Sequence, residues 1–186
     1  MATSTRDRLL DSALKRFASD GVLTTTLDQV RAGAGASVGA IYHHFPDKEA
    51  LYDAVRGRAL ADYQAGFAAE LESHGDPEAG IRAIVSFHFR WCAAHRDAAR
   101  LLLDARPLEA PELNRDFFPR IASWWRPHAH YGTVRDLDFL LIHALWLGPA
   151  MELTRHWLDG DTPKPTSSQI KLLANAAWAS LKKGTA

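Results

Sequence analysis

An all-α fold of about nine helices is predicted by this 186-residue sequence. Apolar residues recur at three- and four-residue spacing along most of the chain, as they do on the buried face of an amphipathic helix. Serine, threonine, aspartate or proline stands before most of these segments, which is typical of helix starts. No segment of useful length alternates apolar and polar residues as a strand does, and no internal repeat is found. These observations favour helices throughout.

Four helices are predicted in the N-terminal part. The first three begin at serine or threonine residues that can cap a helix, and Pro46-Asp47-Lys48 opens the fourth. Glycine ends the first two. Two overlapping capping boxes, Thr25…Asp28 and Thr26…Gln29, leave the start of the second helix open by one residue. The predicted limits are Ser4 or Thr5 to Gly21, Thr24–Thr26 to Gly33–Gly35, Ser37 to His44, and Pro46–Lys48 to Ser73–Gly75.

Five further helices are predicted in the rest of the chain. Their expected limits are Asp76–Pro77 to His95, Asp97 to Leu103, Pro111 to Trp125, Val134 to Leu158, and Thr166 or Ser167 to Lys182. We expect Pro119 to interrupt the third of these helices, Pro127 to stop it, and Pro149 to kink the fourth. A boundary near Asp53 to Arg58 divides the chain into predicted domains 1–55 and 56–186.

Composition and charge exclude several classes of protein. Cys92 is the only cysteine, so the chain has no intramolecular disulfide and no cysteine-based zinc site, which fits a reducing cytoplasm. No apolar stretch approaches the ~20 residues of a membrane span, and the start lacks the apolar core of a signal peptide. Residues 1–58 carry eight basic and seven acidic side chains. Any DNA recognition there must depend on the placement of a few groups rather than on bulk charge.

The segment GAGASVGAIYHHF, residues 33–45, has two competing interpretations. Its glycine spacing suggests a loop that binds a dinucleotide, but such a loop follows a strand, and here a capped helix precedes it. Two short helices around a glycine-containing turn instead favour a helix-turn-helix, whose second helix enters the DNA major groove. Helical periodicity directs Ile41 and Phe45 inward and Gly39, Ala40 and Tyr42 outward, together with His43. Because glycine costs about 1 kcal/mol against alanine inside a helix, Gly39 indicates a need for close backbone approach.

These residues, with their neighbours, form a longer signature. The matching residues are Arg8-Leu9-Leu10, Ala13-Leu14-x-x-Phe17-Ala18, Gly21-x-x-x-Thr25-Thr26, and Ala34-Gly35-Ala36-Ser37-x-Gly39-x-Ile41-Tyr42-x-His44-Phe45-x-x-Lys48-x-x-Leu51. Residues 5–52 therefore resemble the DNA-binding region of the tetracycline-repressor (TetR) family of bacterial transcription regulators. Arg31 stands where that family usually has alanine, and Ala36 where it usually has valine.

The resemblance implies a set of DNA contacts. Thr26 and the start of the second helix would hold a phosphate, and Lys48 would pair with another. Ser37, Val38 and Ala40 would face base edges, whereas the aromatic residues that follow would bind the backbone or nearby bases. The full predicted DNA-binding set is Thr25, Thr26, Ser37, Val38, Gly39, Ala40, Tyr42, His43, His44 and Lys48.

The second half of the chain is similar to the family's effector-binding and dimerisation region in size and helix count. By that resemblance it binds a small apolar or aromatic effector in the C-terminal helical bundle. The residues predicted to line the pocket are His88, Trp91, Phe117, Trp124, His143 and Trp146. No metal or cofactor is predicted. His88, Cys92 and His95 share a helix face that could hold a metal, but the apolar residues beside them favour a core or pocket role; this point stays open.

The last two long helices carry broad apolar stripes. They are Leu137, Leu140, Leu141, Ala144, Leu145 and Gly148 in one, and Ile170, Leu173, Ala174, Ala177 and Leu181 in the other. The resemblance implies that these helices form a two-fold homodimer interface; the alternative is that they close the monomer's own core.

The function predicted is that of a ligand-responsive, cytoplasmic, homodimeric repressor that binds a palindromic operator and has no membrane partner. No catalytic residues are predicted. A helical carrier or enzyme with a vestigial DNA-binding unit is the alternative. The sequence does not identify the effector, the operator or the regulated genes, and it does not separate repression from activation.

Overall fold

The computed structural model describes residues 3–103 and 111–184, and within these ranges the chain is helical with no strand. The helices are α1 (Thr5–Asp20), α2 (Leu27–Gly33), α3 (Val38–His44), α4 (Lys48–Glu72), α5 (Pro77–Ala94), α6 (Arg96–Leu102), α7 (Pro111–His130), α8 (Phe139–Asp159) and α9 (Ser167–Leu181). The predicted all-α class is confirmed. None of the described helices is long and apolar enough to cross a bilayer.

Side-chain caps fix the helix starts where the sequence predicts them. The Ser4, Ser37 and Asp76 side chains each accept a hydrogen bond from a backbone amide three residues on. At α2 the choice between two capping boxes is resolved in favour of Thr26. Its hydroxyl accepts from the Gln29 amide at 3.3 Å, and the Gln29 side chain accepts from the Thr26 amide at 2.9 Å. Local hydrogen bonds therefore determine these boundaries.

We expect Thr26→Ala to lower the unfolding free energy by about 1 kcal/mol, because it removes the oxygen that caps α2. Thr26→Ser keeps an equivalent oxygen and should stay close to the wild type. Denaturant unfolding of the three proteins measures the difference. Equal losses in the alanine and serine variants would show that the hydroxyl cap contributes nothing.

Two predicted boundaries in the second half are wrong. Helix α7 continues through Pro119 and Pro127 to His130. Each proline removes only one backbone donor, and the helix resumes at once, since the Tyr131 amide donates to the Pro127 carbonyl at 2.9 Å. The buried side chains of Ile121 and Trp125 also hold this segment in the bundle.

Helix α8 begins at Phe139 rather than near Val134. Val134 is buried and pairs with Lys182 in an isolated antiparallel bridge, and the Arg135 amide donates to the Leu181 carbonyl at 2.8 Å. These distant partners satisfy the backbone in an extended form. Asp138 then caps α8, because its side chain accepts a hydrogen bond from the Leu141 amide.

The described residues divide into two compact units. The first unit comprises residues 3–61 and 97–103, and the second comprises 62–96 and 111–184. Helices α1, α2 and α3 pack against one another in the first unit. The contacts therefore extend the first unit six residues beyond the predicted division at 55/56 and add α6 to it. The buried core of the first unit consists of Leu9, Leu10, Ala13, Phe17, Val30, Ala34, Ala36, Ile41, Phe45, Leu51, Tyr52, Val55 and Leu101.

A buried arginine joins α4 to α6 inside the first unit. The Arg56 side chain is 2% exposed, and its Nε donates to the Leu101 carbonyl oxygen at 3.0 Å. Its guanidinium carbon lies 5.4 Å from the centre of the Tyr52 ring, which in turn packs edge-on against Phe17 at 5.5 Å. A carbonyl at the end of α6 and an aromatic face thus stabilise a charge that would be costly to bury alone.

In the second unit, α5 packs against both α8 and α9, and α8 against α9. Gly80 permits a close approach in this bundle. A Cβ atom at Gly80 would lie 2.6 Å from Cζ2 of Trp124, so any larger residue would displace that ring. The indole of Trp124 is held in place by its Nε1–H, which donates to the His74 carbonyl at 2.7 Å.

Candidate functional site

The turn between α2 and α3 sets the position of the third helix. Gly35 has a φ of +60°, a left-handed conformation that favours glycine, and the Ala36 amide donates to the Arg31 carbonyl at 3.0 Å. Arg31 also bonds through its side chain to the Asp28 carboxylate at 2.9 Å and to the Ala36 carbonyl at 3.5 Å. Arg31, which stands where the family usually has alanine, therefore stabilises the turn. The sequence did not indicate this role.

Helix α3 lies with one face in the core and one face open. Ile41 and the adjoining Phe45 are buried, as their periodicity predicts, whereas Val38 and Tyr42 are each 56% exposed. A Cβ at Gly39 would meet no heavy atom within 4 Å. The outward face of α3 therefore carries no side chain at Gly39, which lies between the exposed apolar side chain of Val38 and the exposed phenol of Tyr42.

The remaining predicted DNA-binding residues differ in accessibility. Thr26 and His43 are exposed, and His44 is half-buried beside His43, with ring centroids 5.1 Å apart. Lys48 is half-buried at the start of α4, where its Nζ donates to the Leu23 carbonyl at 2.9 Å. One ammonium hydrogen is engaged by this bond, and two are left for a phosphate.

Two further members of the predicted set, Thr25 and Ala40, are buried and half-buried respectively. Thr25 is 1% exposed, and its hydroxyl donates to the Gly21 carbonyl at 2.8 Å. Its inclusion among the DNA contacts is corrected, because a buried side chain that closes the α1–α2 turn cannot reach a duplex. Ala40 is half-buried against the core of the first unit, so only part of its surface faces outward.

One cation near α3 was missed by sequence reasoning. The Arg6 guanidinium lies 5.6 Å from the centre of the Phe45 ring, beside the end of α3, and the Arg6 side chain is exposed. The periodicity of α3 carries no signal for a residue of α1. Only the packing of α1 against α3 brings this positive charge to the candidate surface.

Comparison with known proteins agrees with this geometry. The family model described as "Bacterial regulatory proteins, tetR family" matches residues 9–55. The HTH-type transcriptional regulator BetI of Burkholderia thailandensis is 34% identical over 174 residues, which cover 93% of this chain and 79% of BetI. The chain belongs to the TetR family. The predicted family and its class of function, transcriptional regulation, are thereby confirmed.

Other relatives of this TetR-family protein match over shorter spans. AcrR of Shigella flexneri is 34% identical over 110 residues, so the match spans about half of AcrR, 48% of its length.

Among solved structures, FadR of Bacillus subtilis in complex with stearoyl-CoA superposes with a TM-score of 0.71 at 17% identity, covering 92% of this chain and 95% of FadR. At that identity the likeness establishes the fold.

The residues predicted to line a ligand pocket belong to one aromatic cluster of the second unit. They are His88, Trp91, Phe117, Trp124, His143 and Trp146. Two residues of α4 that the sequence analysis missed, Tyr63 and Phe67, contact four of them: His88, Trp91, Phe117 and Trp146. The Phe67 ring lies 5.4 Å from Phe117 and 5.6 Å from Trp146, and the Tyr63 ring lies 5.1 Å from Trp91. Helix α4 is therefore a wall of this core, and only the four-residue spacing of these two rings could have suggested it.

A chain of polar side chains crosses this cluster. The Tyr63 hydroxyl lies 3.0 Å from Nδ1 of His88, and Nε2 of His88 lies 3.0 Å from the Thr154 hydroxyl. His88 and Thr154 are buried, and the Cys92 sulfur lies 3.9 Å from Nε2. Burial, with a smaller effect of His143, lowers the pKa of His88 to about 4. His88 is therefore neutral near pH 7.

The protonation of His88 makes the second unit sensitive to acid. Because the pKa of His88 is about 4 when folded and about 6.5 when unfolded, the unfolded chain takes up the proton first as the pH falls. The unfolding free energy should drop by about 2 kcal/mol between pH 7 and pH 5 relative to His88→Gln, which does not titrate. Denaturant unfolding followed by tryptophan fluorescence reports this unit, since all six tryptophans lie in it. Parallel pH profiles in the two proteins would contradict the expectation.

The possible metal site at His88, Cys92 and His95 has other contacts in the structure. His88 is engaged by Tyr63 and Thr154, whereas the ring of His95 packs on Trp91 at 4.8 Å, with its Nδ1 3.1 Å from the Trp91 carbonyl oxygen. Within residues 3–103 and 111–184, no group of three or more histidine, cysteine or acidic side chains is arranged to hold a metal ion.

The apolar stripes of α8 and α9 divide between core and surface. Ala174, Ala177 and Leu181 are buried, which agrees with the alternative that they close the core of their own unit. Leu140 on α8 is 76% exposed and Leu172 on α9 is 67% exposed. The outer faces of α8 and α9, defined by Leu140, Leu141, Ala144, Leu172 and Ala176, thus present apolar and small residues to the surroundings.

Proposed function

We propose that this TetR-family protein is a homodimeric repressor that binds a palindromic operator through α3 and is released from it by a small molecule. The thin exposed face of α3 carries this proposal. The side chains of Ser37, Val38 and Ala40, with the backbone at Gly39, face base edges, and the Val38 methyl groups suit the methyl group of thymine. The residues that contact phosphate and sugar are Thr26, Tyr42, His43, His44 and Lys48, with Arg6 as an added cation.

The outer faces of α8 and α9 form the proposed dimer interface. Exposed leucines there lose contact with water on association, and the small residues Ala144 and Ala176 allow the helices of two copies to approach closely. A two-fold dimer presents two α3 helices, which fit half-sites about 34–36 Å apart along the duplex. Operator DNA on the chromosome would be met in the cytoplasm.

The proposed effector occupies the aromatic cluster of the second unit. The FadR structure, which contains stearoyl-CoA, supports this part of the proposal, because it shows a protein of the same fold with a bound small molecule. The effector can change DNA affinity only by binding more tightly to the conformation that is incompatible with the operator. No catalytic step is proposed for this chain.

A gel-shift titration on DNA from upstream of the chain's own gene tests DNA binding. We expect a discrete complex that resists competitor DNA, and light scattering should give twice the chain mass of 20.6 kDa. Replacing Tyr42 and Lys48 together by alanine should abolish the complex while leaving the dimer intact. If no complex forms even at low salt, the proposal fails, and the carrier or enzyme alternative gains weight.

A further inference from the structure

The interior of the second unit combines aromatic rings with hydrogen-bonding groups that carry no charge. Its buried polar side chains, among the described residues, are Gln64, His88 and Thr154. Gln64 donates to the Asn114 side chain at 3.0 Å, and the other two belong to the Tyr63–His88–Thr154 chain. A carboxylate borders these rings, because Oδ2 of Asp62 accepts a hydrogen bond from Nε1 of Trp91 at 2.8 Å. An anion entering this interior would therefore meet a like charge, and an unpaired buried charge is strongly unfavourable.

The Tyr63–His88–Thr154 chain has one hydrogen more than its two bonds use. A tyrosine hydroxyl, a neutral imidazole and a threonine hydroxyl together supply three donor hydrogens. If Nδ1 of His88 is protonated, the imidazole donates to Tyr63, and the Tyr63 hydroxyl hydrogen is left over. If Nε2 is protonated instead, the imidazole donates to Thr154, and the Thr154 hydroxyl hydrogen is left over. In both tautomers, one hydroxyl lacks an acceptor within the described part of the chain.

The surroundings of this donor are flat, aromatic and partly accessible. The Tyr63 ring lies 5.5 Å from Phe87 and 5.1 Å from Trp91, and both of those rings are buried. Tyr63, Phe117 and His143 are each half-buried, so the cluster is not sealed from solvent. Ring systems pack well against such surfaces, in offset or edge-to-face arrangements.

We propose that the effector is an uncharged aromatic molecule carrying a hydrogen-bond acceptor, such as a carbonyl oxygen, which accepts the spare hydroxyl hydrogen of the Tyr63–His88–Thr154 chain. This inference rests on the proposed function, because it specifies the ligand of the proposed effector site. It excludes carboxylates and acyl-CoA thioesters as effectors. The apolar rings supply contact area, and the polar chain selects among ligands of the same shape.

Equilibrium dialysis of the full chain against four naphthalene probes tests the inference. The probes are 2-acetylnaphthalene, 2-ethylnaphthalene, 2-naphthoate and 2-naphthyltrimethylammonium. We expect saturable binding of 2-acetylnaphthalene, about tenfold weaker binding of the ethyl compound, which lacks the acceptor, and at least 100-fold weaker binding of 2-naphthoate. The trimethylammonium probe also lacks an acceptor and should bind less tightly than 2-acetylnaphthalene. Equal binding of the acetyl and ethyl probes, tighter binding of either ion, or no saturable binding at all would overturn the inference.

Two variants locate the donor. Tyr63→Phe and Thr154→Val each remove one hydroxyl at an end of the chain, and the variant that removes the spare donor should reduce the tenfold preference to about threefold or less. Tyr131→Phe, at a tyrosine that is 82% exposed in the same unit, is the matched control and should keep the preference. If both core variants retain the full preference, the polar chain does not contact the ligand. The dialysis needs no DNA, so its failure is distinct from failure of the gel shift.

Discussion

Replacing Gly39 by glutamate is expected to weaken operator binding about 100-fold or more without destabilising the first unit. A side chain at this position meets no neighbour within 4 Å, and φ is not in the left-handed region, so the free protein accommodates it. Glutamate is also a better helix former than glycine. In the complex, however, the new carboxylate would lie between α3 and the bases, close to the phosphates, and like charges held together cost several kcal/mol. Gel-shift titration gives the affinity, and thermal unfolding gives the stability.

Gly57→Glu is the control for this experiment. Gly57 lies on α4 in the same unit, and a Cβ there also meets nothing within 4 Å. Both variants change the net charge by the same amount, so the long-range electrostatic effect on DNA binding is matched. We expect Gly57→Glu to lose less than about fivefold. Equal affinity of the two variants would mean that α3 does not enter the groove.

Leu101→Ala is expected to lower the stability of the first unit by about 2–5 kcal/mol. The Leu101 side chain is 5% exposed and belongs to the core of the first unit, although it lies on α6, far along the chain from α1 to α3. Truncation leaves a cavity in that core and loosens the end of α6, which accepts the Arg56 hydrogen bond. Hydrogen exchange of the α1 and α3 amides should become faster.

The control for Leu101 is the same substitution at Leu23. Leu23 is 93% exposed in the turn between α1 and α2, so Leu23→Ala should change the unfolding free energy by less than about 0.5 kcal/mol. Unchanged exchange of the α1 and α3 amides in Leu101→Ala would show that α6 is not part of the first unit. The predicted division at 55/56 would then describe the folding unit better than the contacts do.

Local signals explain what could be predicted at the candidate site. The Ser37 cap, the glycine turn and the inward spacing of Ile41 and Phe45 all lie within 13 residues of one another, and all appear in the structure as expected. Their geometry depends on bonds between near neighbours, which leave a pattern in the sequence. The exposed face of α3 follows, because a face that is not buried must point outward.

Residues that act across the fold could not be found in this way. Thr25 and Thr26 are chemically identical neighbours, and only the packing of α1 against α2 buries one and exposes the other. Arg6 lies beside Phe45 for the same reason. Val134 continued a helical pattern, but its pairing with Lys182 keeps the segment extended. For Arg6 and Val134 the deciding partner is distant in sequence.

The sequence by itself determined the all-α class, the family, and the starts of α1, α2, α3, α5 and α9 to within about a residue. Capping and periodicity act over a few residues, and the matching residues of the family signature all lie between 8 and 51. Only the tertiary structure decided that Leu101 and Arg56 complete the first unit and that Tyr63, His88 and Thr154 form one chain. These contacts join side chains of different helices. Their distances are set by how the helices pack, and a hydrophobic periodicity specifies which face is buried but not which residue it meets.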